Sequence, residues 1–204
     1  MDSSTESGVG KNRPPGAETR ESLSDREREI LRQVARDSIL QGVEEGVPLR
    51  VPLESFPASL RAEGAAFVTL HKEGRLRGCI GSYLARRPLV EDVAQNAFAA
   101  AFRDPRFPPV SLEESGTLDL HISLLSAPES LPVGSREALL QALRPGIDGL
   151  LLEDPPHRAT FLPQVWRSLP VPEEFLEELL LKSGLPRRHW SATLRFQRYE
   201  AEEF

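Results

Sequence analysis

Ala66-Phe67-Val68-Thr69-Leu70-His71-Lys72-Glu73-Gly74-Arg75-Leu76-Arg77-Gly78-Cys79-Ile80-Gly81 is the stretch that decides the fold class. The apolar and β-branched run before Lys72-Glu73-Gly74, and the second run from Arg75 to Tyr83, spell two strands joined by a short glycine-bearing loop. This hairpin carries the chain's one cysteine. In an extended strand, side chains two apart share a face about 6.5–7 Å from each other, so alternation predicts Arg77 and Cys79 on one face and Leu76, Gly78 and Ile80 on the other. A guanidinium at that range favours thiolate over thiol, and Gly78 and Gly81 remove the side chains that block a ligand or another backbone. A free cysteine also packs readily as a small buried hydrophobe. On residue chemistry both readings of Cys79 stand.

Helices are expected on either side of the hairpin. Ser24-Asp25-Arg26-Glu27 reads as a capping box, and Ile30, Leu31, Val34 and Ile39 follow at helical spacing to about Glu45, where Gly46 ends the helix. Pro88 suits a helix start, and Leu89, Val93, Ala97 and Ala100 make a small-residue stripe able to lie close on a sheet. That helix stops before Asp104-Pro105-Arg106-Phe107-Pro108-Pro109. Leu118, Leu120, Ile122 and Leu124 alternate with Asp119, His121 and Ser123, a half-buried strand. Beyond it come a short helix over residues 135–143, a buried strand at Gly149-Leu150-Leu151-Leu152, and Ala159-Thr160-Phe161-Leu162-Pro163 leading into a turn. A helix over residues 172–182 and a final strand over 192–199 complete the reading. Turn-linked strands without a regular strand-helix repeat predict an α+β fold, an antiparallel or mixed β-sheet flanked by helices.

The bulk composition narrows the function classes. One cysteine in 204 residues excludes an internal disulfide and suits a reducing, cytoplasmic setting. Residues 1–22 are Ser, Gly, Pro and charge, so they read as a disordered lead with no membrane anchor, ahead of a domain over 23–204. A net charge of −6 argues against nucleic-acid binding by global electrostatics. The histidines His71, His121, His157 and His189 show no metal-ligand spacing, so no metal site is expected. Asp119, His121 and Ser123 sit side by side on one strand face and do not make a nucleophilic triad. Arg103, Asp104 and Arg106 are expected to gather near the hairpin, with Arg158 and Thr160 as an extension; helix C-capping and an ion pair account for the same residues.

Leu76-Arg77-Gly78-Cys79-Ile80-Gly81, Asn96-Ala97, Asp104-Pro105-Arg106-Phe107-Pro108, Gly149-Leu150-Leu151-Leu152 and Thr160-Phe161-Leu162-Pro163-Gln164-Val165 occur in that order. Together they resemble the AMMECR domain family, which supplies protein A of the AmmeMemoRadiSam system. The resemblance runs over residues 24–199 and includes the late block Lys182-Ser183-Gly184-Leu185-Pro186. It implies a larger sheet-and-helix portion with a smaller subdomain. It implies as companions a Memo-like protein, related to extradiol dioxygenases, and a radical SAM enzyme. Arg77, Gly78, Cys79, Gly81, Asn96, Asp104, Arg106, Phe107, Thr160 and Gln164 match its motifs. Three roles stay open: an accessory or interaction component docking those companions, an enzyme with Cys79 as nucleophile or redox thiol and Arg77 orienting an anionic group, and a nucleic-acid-linked regulator. The cofactor is not specified by these residues.

Overall fold

The computed structural model describes residues 22–204, so the N-terminal lead, but for its last residue, lies outside the described residues. In chain order the elements are α1 (Asp25–Glu45), a 3-10 turn at Leu53–Ser55, α2 (Ala58–Arg61), β1 (Ala66–Lys72), β2 (Arg75–Gly81), α3 (Leu89–Phe102), α4 (Leu112–Ser115), β3 (Asp119–Leu125) and β4 (Glu129–Ser130). They continue with α5 (Arg136–Ala142), β5 (Gly149–Asp154), β6 (His157–Phe161), a 3-10 turn at Pro163–Arg167, α6 (Pro172–Lys182), β7 (Arg195–Tyr199) and β8 (Ala201–Glu203). The strands form two four-stranded sheets, ordered β2-β1-β3-β8 and β4-β7-β5-β6, and every pairing is antiparallel. The α+β class is as the strand pattern predicts, with the mixed alternative resolved to antiparallel.

Local chemistry accounts for the first sheet. Ser24 and Glu27 form the reciprocal capping box at the start of α1, worth about 1 kcal/mol, and Gly46 closes it in the left-handed region at φ 74°. Both residues of the hairpin turn, Glu73 at φ 52° and Gly74 at φ 72°, take positive φ, the twist that lets two strands pair directly. One face of the sheet, with Ala66, Val68, Leu70, Ile122 and Leu124, is buried by α1 and α3. The alanine stripe brings α3 close: a methyl group on Gly78 would stand 2.2 Å from the Ala100 carbonyl oxygen. Only a glycine fits there.

Buried Asp92 and Asn96 of α3 fasten that helix to the sheet. Asp92 Oδ2 accepts from the Ala66 N–H at 2.9 Å, while Asn96 Nδ2 donates to the Ala66 carbonyl at 3.0 Å and to Asp92 Oδ2 at 2.9 Å. Burial pushes the Asp92 carboxyl above its ordinary range, against the pull of Ser82, Ala66, Arg87 and Asn96.

The second sheet has its own core. Leu150 and Leu152 of β5 pack with Phe175, Leu176, Leu179 and Leu180 of α6, and the Trp166 ring stacks on Phe175 at 3.9 Å between centroids. A third apolar cluster joins the two sheets: Ala65, Leu125, Leu151 and Tyr199, with Phe67 and Leu162 against them. The second sheet therefore leans on the face of the first that α1 and α3 leave open. Three strands escape the sequence pattern. β4 is a two-residue partner of β7, β6 is read only as the approach to a turn, and β8, three residues long, crosses back to β3 after Tyr199.

Candidate functional site

The hairpin's second strand, β2, is an edge strand, and its register decides what the signature residues face. Leu70 pairs with Gly78 and His71 with Leu76, which leaves Arg77 as the extra residue of a bulge. A bulge breaks strict alternation. The expected juxtaposition of Arg77 with Cys79 gives way to a different partner set. Arg77 is buried at 9% exposure and donates to Glu114 through Nε at 2.7 Å and Nη2 at 2.9 Å, and to the Pro108 carbonyl at 2.8 Å. The pair holds the Glu114 carboxyl below its ordinary range, with Lys72 adding to the effect. Arg77 thus ties the bulge to the start of α4.

Cys79 stays on the sheet's open face, partly exposed. Thr69 Oγ1, directly across from it on β1, donates to the sulfur at 3.3 Å. Its backbone N–H points off the sheet edge and is capped by Asp104 Oδ2 at 2.9 Å. The same carboxylate accepts from Arg106 Nε at 2.9 Å and Nη2 at 2.6 Å, and Arg106 reaches on to the Cys79 carbonyl at 3.5 Å. This bidentate clasp, more than any other cause, holds Asp104 well below the usual carboxylate range. Phe107 stands between the two guanidiniums, its ring 5.9 Å from Arg77 and 5.4 Å from Arg106. The segment over residues 104–109 is therefore a lid on the edge of β2, built from the residues that the resemblance singles out.

A further cation arrives from the second sheet. Lys182, in the last turn of α6, donates to the Thr160 carbonyl at 2.9 Å and lies over the Phe161 ring at 5.0 Å. The residue remains exposed, yet enough protein surrounds its ammonium to push its pKa down, while the Cys79 sulfur pulls it up and Arg106 presses it down again. Arg106 in turn is raised chiefly by Asp104, with Cys79 contributing. The thiol, the guanidinium and the ammonium are thus within electrostatic reach of one another.

The remaining signature residues go to other places. Gly81 makes room for the Phe67 ring, which an added methyl would meet at 2.1 Å. Asn96 lies on the helix side of the sheet, holding Ala66. Thr160 supports Lys182 by its carbonyl while its hydroxyl bonds the Leu150 carbonyl at 3.0 Å and Tyr199 at 2.6 Å. Gln164 bridges the sheets through Ser123 at 2.9 Å and Glu203 at 2.5 Å. Arg158 joins Tyr83 and Glu153. The structure gathers Arg77, Cys79, Asp104, Arg106 and Phe107, brings Thr160 in through Lys182, and leaves Asn96 and Gln164 apart. Glu114 is a participant the sequence pattern does not point to, and Lys182, matched only as part of the late block, is not placed at the site by it, since each acts across a long separation in the chain. Among the described residues no cluster of His, Cys, Asp and Glu is arranged to hold a metal ion, and no helix is long and apolar enough to cross a membrane.

Two antiparallel sheets, joined so that a thiol-bearing edge strand is closed by its own aspartate loop, define the class of protein. The chain belongs to the AMMECR1 family, which it matches over residues 32–204. It is 38% identical over 163 residues to Protein MJ0810 of Methanocaldococcus jannaschii, across 76% of this chain and 79% of that one. It is 37% identical over 188 residues to a protein of Methanothermobacter thermautotrophicus, across 89% and 95%. The crystal structure of the Uncharacterized Protein PH0010 from Pyrococcus horikoshii shares the fold with a TM-score of 0.82 at 34% identity, covering 89% of this chain and 92% of that one.

Proposed function

We propose that this chain is an accessory component whose working group is the Cys79 thiol, and that it takes up an anionic group of a substrate or partner between Arg106 and Lys182. What supports the reading is that Arg106 reaches the backbone carbonyl of partly exposed Cys79, while Lys182, tied to Thr160 on the other sheet, lies within electrostatic reach of the same residue. Arg106 is held in place by Asp104 and Phe107, so little side-chain freedom is lost when it meets an anion. Lys182 sits at reduced solvation, where a carboxylate or phosphate partner interacts more strongly than in bulk water. The orienting role expected of Arg77 passes to these two, because the Arg77 guanidinium is already engaged by Glu114.

The companions implied by the resemblance, a Memo-like protein and a radical SAM enzyme, are the partners this site would serve, in a reducing cytoplasm that keeps Cys79 free. A reconstituted three-protein assay tests the reading. Cys79→Ala is expected to abolish turnover while the complex still forms, and Arg106→Gln together with Lys182→Met to weaken assembly or substrate capture. Full activity in both variants would contradict it.

A further inference from the structure

The two edges of the first sheet are treated differently. At β2 the outward N–H of Cys79 is capped by Asp104. At β8 the pairing with β3 runs through Phe204 and Ile122, which exchange both backbone bonds, so every second residue, Glu202 and Phe204, turns its backbone toward β3. Ala201 and Glu203 therefore turn their N–H and C=O groups outward, where among the described residues no backbone or side-chain partner meets them. An uncovered strand edge of this kind is a template for another strand.

A hollow of about 500 Å³ runs beside this edge, lined by Ala201 and Glu203 themselves and by Pro145, Pro163, Trp166 and Pro170, with Arg167, which forms no ion pair with Glu203 among the described residues, also on its wall. Ile147 and Val171, next to two of those prolines, are 48% and 46% exposed. Gln164, also on the wall, has a buried Oε1 with no donor. The acidic residues of the crossover are not equally satisfied. Glu200 pairs with Arg144 at 3.0 Å and Glu202 with Arg28 at 2.5 Å, whereas among the described residues Glu203 has only the Gln164 amide.

We propose that this edge and hollow form a docking site for an extended peptide segment of a partner protein, which adds as a strand beside β8 and places a basic side chain against Glu203. The outward N–H and C=O groups call for a main chain as occupant, the proline and tryptophan walls for apolar side chains at alternate positions, and the uncompensated carboxylate for a cation. A second copy of this chain fits poorly. Self-pairing across β8 sets Glu202 against its own symmetry mate between two chains of net charge −6.

Panning a phage-displayed library of random peptides on the intact chain tests this, followed by anisotropy measurements on the selected sequences as synthetic peptides. The expected binders alternate apolar residues and carry Lys or Arg, and Glu203→Lys weakens them by about tenfold or more. Ala201→Pro has the same effect, since it removes an outward N–H without touching a bond to β3. Should Ala201→Pro fail to fold, amide exchange on the unaltered chain decides: bound peptide slows exchange at Ala201 and Glu203. Failure to select any peptide, binders indifferent to Glu203→Lys that leave both amides unprotected, or occupation of β8 by a second copy at rising concentration would each overturn the proposal.

Discussion

The backbone N–H of Cys79 donates to Asp104 Oδ2 at 2.9 Å, and that carboxylate is simultaneously clasped by both donor arms of Arg106. One buried acid thus seals the sheet edge, fixes the strand that carries the thiol, and aims the guanidinium that flanks it.

Asp104→Ala is expected to cost about 2–4 kcal/mol, because it strands an edge N–H and frees a clasped cation. Chemical denaturation of the variant measures this. The folded-state pKa of Asp104 lies well below the unfolded value of about 3.9. Its stabilisation is accordingly complete above that pH and drains away as pH falls toward the depressed value. A stability-versus-pH curve of the Asp104→Ala protein is expected to be flatter than that of the parent on the acid side.

Arg77→Ala is expected to lower stability by about 1–3 kcal/mol, since it leaves the half-buried Glu114 carboxylate without its main partner. It should leave the chemistry of the thiol nearly unchanged, since no contact between the Arg77 guanidinium and the Cys79 sulfur exists. Thermal melts read the first outcome and alkylation rates of the thiol the second.

Gly78→Ala and Gly81→Ala separate backbone from side-chain crowding. The new methyl on residue 78 meets the Ala100 carbonyl of α3, which can move only with its helix, while the one on residue 81 meets Phe67, which can rotate. A loss of about 1–3 kcal/mol or more is expected at position 78, and a smaller one at 81, in paired unfolding measurements.

Much of the fold is legible in the chain because its signals are local. The Ser24 and Glu27 box, the Gly46 stop, the Glu73-Gly74 turn and the alternation from Leu118 to Leu124 each work within a few residues. β6 and β8 are missed for opposite reasons. The first hides its strand behind a Pro163 turn, and the second is too short to show a period. The site is half legible. Cys79 and the segment over residues 104–109 stand out by composition, yet nothing local says that Arg77 sits on a bulge and bonds Glu114, or that Lys182 comes within reach of Cys79 from another sheet.

Lys182→Met is expected to leave the melting temperature within a few degrees of the parent, because its one hydrogen bond goes to an otherwise intact strand. It should weaken the attraction for anions, leaving the share that Arg106 supplies. In the parent the Lys182 share of the attraction should fade at a pH below the usual lysine range, as the ammonium, its pKa lowered by burial, loses its proton with rising pH, while the Arg106 share persists. Titrating the affinity for a simple dianion with and without the substitution checks both outcomes.

The most direct measurement uses the chain's one thiol as its own reporter. Alkylation rates of Cys79 are compared for iodoacetate, which carries a negative charge, and iodoacetamide, which does not, with a small free thiol as reference. A cationic frame around the sulfur predicts a faster relative rate for iodoacetate than the reference shows, returning to the reference ratio when Arg106→Gln and Lys182→Met are combined. A sulfur that resists both reagents, or one that reacts with the reference ratio in the unaltered protein, would contradict the account.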